Sequence, residues 1–386
     1  ICVLLLSFNR IMKTYNKPSG SNISHFSNMV KSRGGINLAQ GIPGFQPPQQ
    51  LVEILQAVST QPVHQYAPGV GNPDLLSIIA HKHSVNRDNL LVVQGATEGL
   101  SLVFTYLQKI LGKGFAVASF EPAYESYVQL PAIFGNPYHS IPLGDGYSFN
   151  EEALVTTIKE HRVKLVFLCS PGNPFSKVWS KADVLRMVEL AEELDFYLVF
   201  DAVYQELYFT QKPYVPYDIV CKNLFVVDSF SKMLCITGWR IGYVLMHSSH
   251  VQGVRSVHDY VGLCAPSLLQ VALAQYLAES SYGNAFVASF RERVSHAFRL
   301  LSHALTQQGF SIPSIDGGCF VWAKLPEPLT DGFQFASNLY ETEMVASIPG
   351  EHFSKDFSNW IRFNVARPIA DIEQAIPAIE RFVKSV

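Results

Sequence analysis

A chain of 386 residues, 48% hydrophobic and 16% charged, can bury a large core in one big domain or two lobes. Its formal net charge of −3 offers neither nucleic acid nor an anionic membrane an electrostatic hold, so neither is expected as a partner. The six cysteines form no C-x-x-C pair and the twelve histidines no zinc-spaced cluster. No metal is therefore expected, and the cysteines read as small core residues of a reducing, cytoplasmic compartment.

The apolar start, Ile1-Cys2-Val3-Leu4-Leu5-Leu6, is too short to span a bilayer and lacks a basic flank and a cleavage site. Met12 precedes a plausible polar start. Residues 1–11 are thus expected to be upstream translation or a fragment edge, with a clipped signal-peptide remnant as the alternative. Residues 12–35 read as a flexible polar arm, and residues 36–48, rich in Gly and Pro, as irregular chain. Helices are expected over 51–58 and 73–83. A strand–helix alternation then begins. Strands are expected at 90–94, 115–120, 163–168, 197–200, 224–227 and 241–246. Helices are expected to start at Gly95, near Tyr124 and near Ser180. From about Pro266 the pattern changes to one long helical stretch, 267–308. A strand (317–325), a helix (332–342), a strand (360–365) and a closing helix (371–384) follow.

Buried strands alternating with helices predict an α/β fold: a large lobe with a mostly parallel sheet flanked by helices, plus a smaller α+β lobe. The expected boundaries are an arm at 1–35, the large lobe at 36–262 and the small lobe at 263–386. Ligands of such sheets gather at strand C-termini, where Thr97, Asn173, Asp201 and Ser229 fall.

Lys232 lies in Ser229-Phe230-Ser231-Lys232, just past an apolar run, and Arg240 follows eight positions later. An amine and a guanidinium so placed can address an aldehyde and a phosphate on one small molecule. Pyridoxal 5'-phosphate carries both. Gly95-Ala96-Thr97, between a strand and a helix, suits either an anion site or an ordinary N-cap. Tyr124 suits either ring stacking or the core. Asn173, held between Gly172 and Pro174, is an aimed amide or a plain turn. Asp201 ends the apolar run 197–200, where a carboxylate needs a cation such as a protonated pyridine nitrogen, unless it caps a helix. Tyr204 lies three residues on. Arg362, inside Trp360-Ile361-Arg362-Phe363, must find an anion, either a structural partner or a substrate carboxylate.

Together these residues resemble the class I/II, fold-type I, pyridoxal-phosphate-dependent aminotransferases, over nearly the whole chain from Ile36. The stretches Asn37-Leu38-Ala39-Gln40-Gly41, Gln65-Tyr66-Ala67-Pro68, Gly95-Ala96-Thr97-Glu98 and Glu121-Pro122-Ala123-Tyr124-Glu125-Ser126-Tyr127 look like those of methionine aminotransferases and kynurenine aminotransferase/glutamine transaminase K. The resemblance implies that Lys232 bonds the cofactor aldehyde. It implies that Arg240, Ser229 and the turn at Gly95, Ala96 and Thr97 hold the phosphate. Tyr124 would stack on the ring, with Asp201, Tyr204 and Asn173 tuning it. Arg362, Asn173 and Gly41 would bind the amino-acid carboxylate. Tyr66 would reach the phosphate of a neighbouring subunit, implying a homodimer with shared sites. The substrates would be an L-amino acid (methionine, glutamine or an aromatic, kynurenine-like one) and a 2-oxo acid, converted in a ping-pong cycle.

Two departures bear on the substrate. Gly41-Ile42-Pro43-Gly44-Phe45 replaces a common Gly-Phe-Pro-Asp-Phe, and Asp259 and Leu263 stand where Gln and an aromatic are usual. They leave an aliphatic or thioether side chain at least as well suited as an aromatic one. Two rival readings are β-elimination of cysteine S-conjugates at the same site and a cofactor-binding regulatory domain. The second would need a DNA-binding domain ahead of Ile36.

Overall fold

A computed structural model describes residues 12–386. Cys2 and the expectations for residues 1–11 lie outside the described residues. The centre of the large lobe is a seven-stranded sheet in the order Leu90–Val93, Gly242–Met246, Leu224–Ser229, Tyr197–Asp201, Val163–Cys169, Ala116–Phe120, Tyr138–Ile141. The last five run parallel, and Gly242–Met246 is antiparallel to both its neighbours. The inner strands are buried nearly throughout because helices cover both faces, which is why they read as continuous Val/Leu/Phe runs without alternation. Tyr138–Ile141 was not legible: as the edge strand it is only part-buried and carries Tyr, His and Ser.

Helix starts follow local chemistry. Asn72 caps Pro73–His83 by accepting from the N–H groups of Asp74 and Leu75, with Pro73 at the first helical position. Asn150 and Ser180 cap Glu151–His161 and Lys181–Glu193 in the same way. The expectation of one helix over 267–308 is corrected. The chain breaks between Ser267–Glu279 and Asn284–Gln307, where Ser281, Tyr282 and Gly283 all take positive φ. The first of these helices packs on Gln49–Val58 and Pro73–His83 and shares the large-lobe core. We therefore place the lobe boundary in the 280–283 turn, beyond the expected 262/263.

The small lobe has an antiparallel sheet, Ile348–Pro349, Trp360–Asn364, Phe320–Lys324, backed by the helices Asn284–Gln307, Gly332–Glu343 and Ile369–Ser385. Its core also takes in the supposed flexible arm, a second correction. Asn22–Arg33 is a helix whose Phe26 is buried against Phe333 at 6.2 Å between ring centroids. Ile23, Phe26, Met29 and Val30 form one apolar stripe at helical spacing, masked by the Ser, Asn and His residues between them. Residues 36–37 then pair in parallel with 345–346, and Leu38 and Ala39 enter the same core. This pins the following segment, Gln40 to Ile42, beside the ends of the parallel strands. No described helix is long and apolar enough to cross a membrane, and no acidic or His/Cys group among the described residues is placed to hold a metal.

Candidate active site

One cavity of about 260 Å³ opens at the C-terminal ends of the parallel strands, against the small lobe. Gly41, Ala96, Thr97, Tyr124, Asn173, Asp201, Tyr204, Ser229, Lys232, Arg240 and Arg362 all line it. Asp201 and Ser229 are the last residues of their strands, and Asn173 follows the end of a third, so parallel pairing alone carries them to one edge. Gly95 stands just behind the wall. Tyr66 does not reach this cavity, and 82% of its surface is exposed.

Lys232 occupies the middle. Its amine donates to the carbonyl of Gly41 at 2.7 Å, which brings it beside the residue that the resemblance assigns to the substrate carboxylate. Burial lowers the amine's pKa below its ordinary value, and the cations Arg362 and Arg240 lower it further against the opposing pull of Cys319 and Asp201. A buried amine held toward its neutral form can act as a nucleophile or as a base.

At one end the cavity gathers a helix N-terminus and a guanidinium, groups that suit an anion. Gly95 (φ +81°) turns the chain into the helix Ala96–Leu111, whose first N–H groups have no helical acceptor. Arg240, itself left-handed at φ 55°, donates to the carbonyls of Thr237 (2.9 Å) and Gln94 (3.2 Å). A Cβ on residue 95 would lie 2.5 Å from an Arg240 Nη, so the guanidinium lies there because residue 95 is glycine. The Ser229 hydroxyl sits 2.8 Å from that of Ser231 and 3.0 Å from the Ile241 carbonyl.

At another end sits a carboxylate that forms no ion pair among the described residues. Asp201 accepts from the Tyr127 hydroxyl (2.7 Å) and the Val203 N–H (3.2 Å), and burial raises its pKa to about 6 despite these donors and Lys232. No helix begins between Asp201 and the strand Leu224–Ser229, so Asp201 is not a helix cap. Tyr127 was missed by sequence reasoning. The aromatic singled out there, Tyr124, lines the cavity edge-on to Tyr127 at 5.5 Å between centroids. The Tyr204 ring lies 5.8 Å from the Lys232 amine.

Arg362 makes a third subsite. Its guanidinium donates to Asn173 Oδ1 (2.7 Å) and the Ala39 carbonyl (2.5 Å), between the rings of Phe320 (4.4 Å) and Phe353 (4.9 Å). Its Nε is buried without a partner, and burial lowers its pKa to about 10. Among the described residues no carboxylate forms an ion pair with it. A structural salt bridge is thus not what holds this buried cation, and its fork still has hydrogen-bonding capacity for an anion.

Comparison with known proteins identifies the family. A probable aspartate aminotransferase of Methanocaldococcus jannaschii is 27% identical over 358 residues, 89% of this chain and 92% of the relative. The methionine aminotransferase of Escherichia coli is 28% identical, over 86% of this chain and 88% of its own. A solved Thermus thermophilus aspartate aminotransferase (a double mutant) superimposes with a TM-score of 0.86 at 25% identity, over 96% of this chain and 97% of that one. The family described as Aminotransferase class I and II matches residues 33–379. The chain is a member of that pyridoxal-phosphate-dependent aminotransferase family.

Proposed function

We propose that the enzyme moves the amino group of an L-amino acid with an uncharged side chain to a 2-oxo acid in a ping-pong cycle centred on Lys232. The observation that carries the reading is a buried, neutral-leaning amine sharing one cavity with two guanidinium groups and a buried carboxylate, Asp201. These residues fit pyridoxal 5'-phosphate. The Gly95–Thr97 turn, Ser229 and Arg240 would take its phosphate, Asp201 would keep a proton on its ring nitrogen, Tyr124 would stack on the ring, and Tyr204 and Asn173 would meet its oxygen. When bound, the cofactor supplies an electron sink for charge developing at the substrate Cα. Lys232 would first bond the cofactor and, once displaced, carry the Cα proton as base and then acid. Arg362 and Asn173 would hold the substrate carboxylate, fixing the Cα hydrogen toward that amine.

The rest of the cavity argues for the side chain. Ile23 and Ile42 supply apolar wall, and Gln40 and Glu125 supply polar wall. Glu125 is ionised more readily than usual because His352 (2.9 Å) bonds to it. The cationic lining residues, Lys232, Arg240 and Arg362, all have other work. A second carboxylate, as in aspartate, would thus meet Glu125 and find no further cation among the described lining residues, whereas methionine, glutamine or an aromatic side chain brings no such charge. We also propose a homodimer. Tyr66, Tyr260, Val261 and Leu263 expose apolar surface, and Gly69 lies against Asp259 and the Leu263 carbonyl, joining the two segments into one face. A panel of amino acids against several 2-oxo acids, read by bleaching of the cofactor's visible band, tests the substrate. Methionine, glutamine or an aromatic donor should exceed aspartate in kcat/KM. Aspartate as the best donor would refute the assignment, and pyruvate release from a cysteine S-conjugate without oxo acid would favour β-elimination.

A further inference from the structure

Asp228 precedes Ser229 in the strand Leu224–Ser229, is buried, and has no part in the cavity wall. It collects four hydrogen bonds from four segments. Its Oδ1 accepts from the Ser229 N–H at 2.7 Å. Its Oδ2 accepts from Gln205 Nε2 (2.6 Å), the Tyr243 hydroxyl (2.7 Å) and the Tyr217 hydroxyl (3.1 Å). His83 closes the cluster, with Nε2 2.8 Å from the Tyr243 hydroxyl and its ring stacked on Tyr217 at 3.8 Å. Among the described residues no cation forms an ion pair with Asp228.

A buried carboxylate held by neutral donors alone is a poor way to gain stability, because desolvation offsets most of the hydrogen bonding. What such a cluster supplies is orientation. Three of the tethered segments carry the site. Gln205 adjoins Tyr204, Tyr243 lies three residues past Arg240, and the Ser229 N–H opens the turn that ends at Lys232. With its N–H fixed from behind, Ser229 keeps its hydroxyl toward Ser231 and the Ile241 carbonyl, beside Arg240.

We propose that Asp228 is a positioning residue for cofactor binding, holding the phosphate-side turn at Ser229 and the segments of Tyr204 and Arg240 in register from outside the cavity. This rests on the reading of Ser229 and Arg240 as phosphate ligands.

The test is titration of the apoenzyme with pyridoxal 5'-phosphate for Asp228→Ala, Asp228→Asn, Tyr243→Phe and Ser229→Ala. Asp228→Ala should raise the cofactor's dissociation constant about tenfold or more, the scale of one or two lost hydrogen bonds. Asp228→Asn, whose amide oxygen still accepts from Ser229, should recover most of that loss. At saturating cofactor the amino-acid KM of Asp228→Ala should stay within about twofold, since Arg362 lies on the other side of the cavity. Should Asp228→Ala not fold, Tyr243→Phe, which keeps the ring and removes one donor, should raise the constant about threefold or more. Wild-type affinity in Asp228→Ala or, if that variant is lost, in Tyr243→Phe overturns the proposal, provided Ser229→Ala binds weakly. Wild-type affinity in Ser229→Ala instead refutes the phosphate assignment beneath it.

Discussion

Replacing Arg362 by Met removes a cation whose partners are an amide and a carbonyl and whose Nε has none. If this fork grips the substrate carboxylate through two charge-assisted hydrogen bonds of roughly 1.5–3 kcal/mol each, the loss is about 3–6 kcal/mol. That is roughly 10²- to 10⁴-fold in kcat/KM. The fold should tolerate the change, because Met fills a slot between Phe320 and Phe353 and relieves a buried charge. The assay is single-turnover bleaching of the cofactor's visible band, first with an amino acid and then with a primary amine that lacks the carboxylate. The amino-acid rate should collapse while the slow rate with the simple amine holds. Arg362→Lys should recover only part of the loss, since an ammonium cannot reproduce the planar fork. Equal losses for both substrates, or an unchanged amino-acid KM, would make Arg362 a structural cation.

Two further outcomes follow from the site's geometry. Gly95→Ala places a methyl group 2.5 Å from an Arg240 Nη at a φ that side chains rarely adopt, with backbone strain of about 1–3 kcal/mol. The cofactor's dissociation constant should rise at least about tenfold by titration, and unchanged affinity would remove the Gly95–Arg240 contact from the phosphate site. Asp201→Asn should change how apoenzyme stability depends on pH. The folded pKa of Asp201, about 6, lies above its ordinary 3.8, so its contribution is fully present below 3.8 and is lost as pH rises through 6. The two-unit gap corresponds to about 3 kcal/mol. In denaturant melts the Asn apoenzyme should therefore gain on wild type between pH 3.8 and 6 and keep that gain above it. A constant difference across the window would show that Asp201 is not desolvated as described.

Much of the site was legible because its residues were awkward where they stood. Asp201 at the end of an apolar strand, Arg362 inside one and Asn173 between two prolines each called for a partner, and all three line one cavity. The parallel strands were legible for the related reason that strands buried on both faces read as unbroken apolar runs. Tyr127 and the Asp228 cluster were not legible, because they depend on contacts spanning 74 residues from Tyr127 to Asp201 and 23 from Gln205 to Asp228. A Tyr or Gln carries no local mark of such a partner. The helix Asn22–Arg33 was hidden by composition, since four apolar residues suffice when a small lobe stands ready to cover them. The 280–283 break was hidden because three consecutive positive φ values need tertiary packing to hold them.

Everything proposed for this site turns on Lys232 as the residue that bonds the cofactor. Reduction of the holoenzyme with borohydride, followed by peptide mapping, tests it directly. A single pyridoxyl-modified lysine, Lys232, is expected, with loss of both that adduct and turnover in Lys232→Ala. Modification at another lysine, or full turnover in Lys232→Ala, would contradict it.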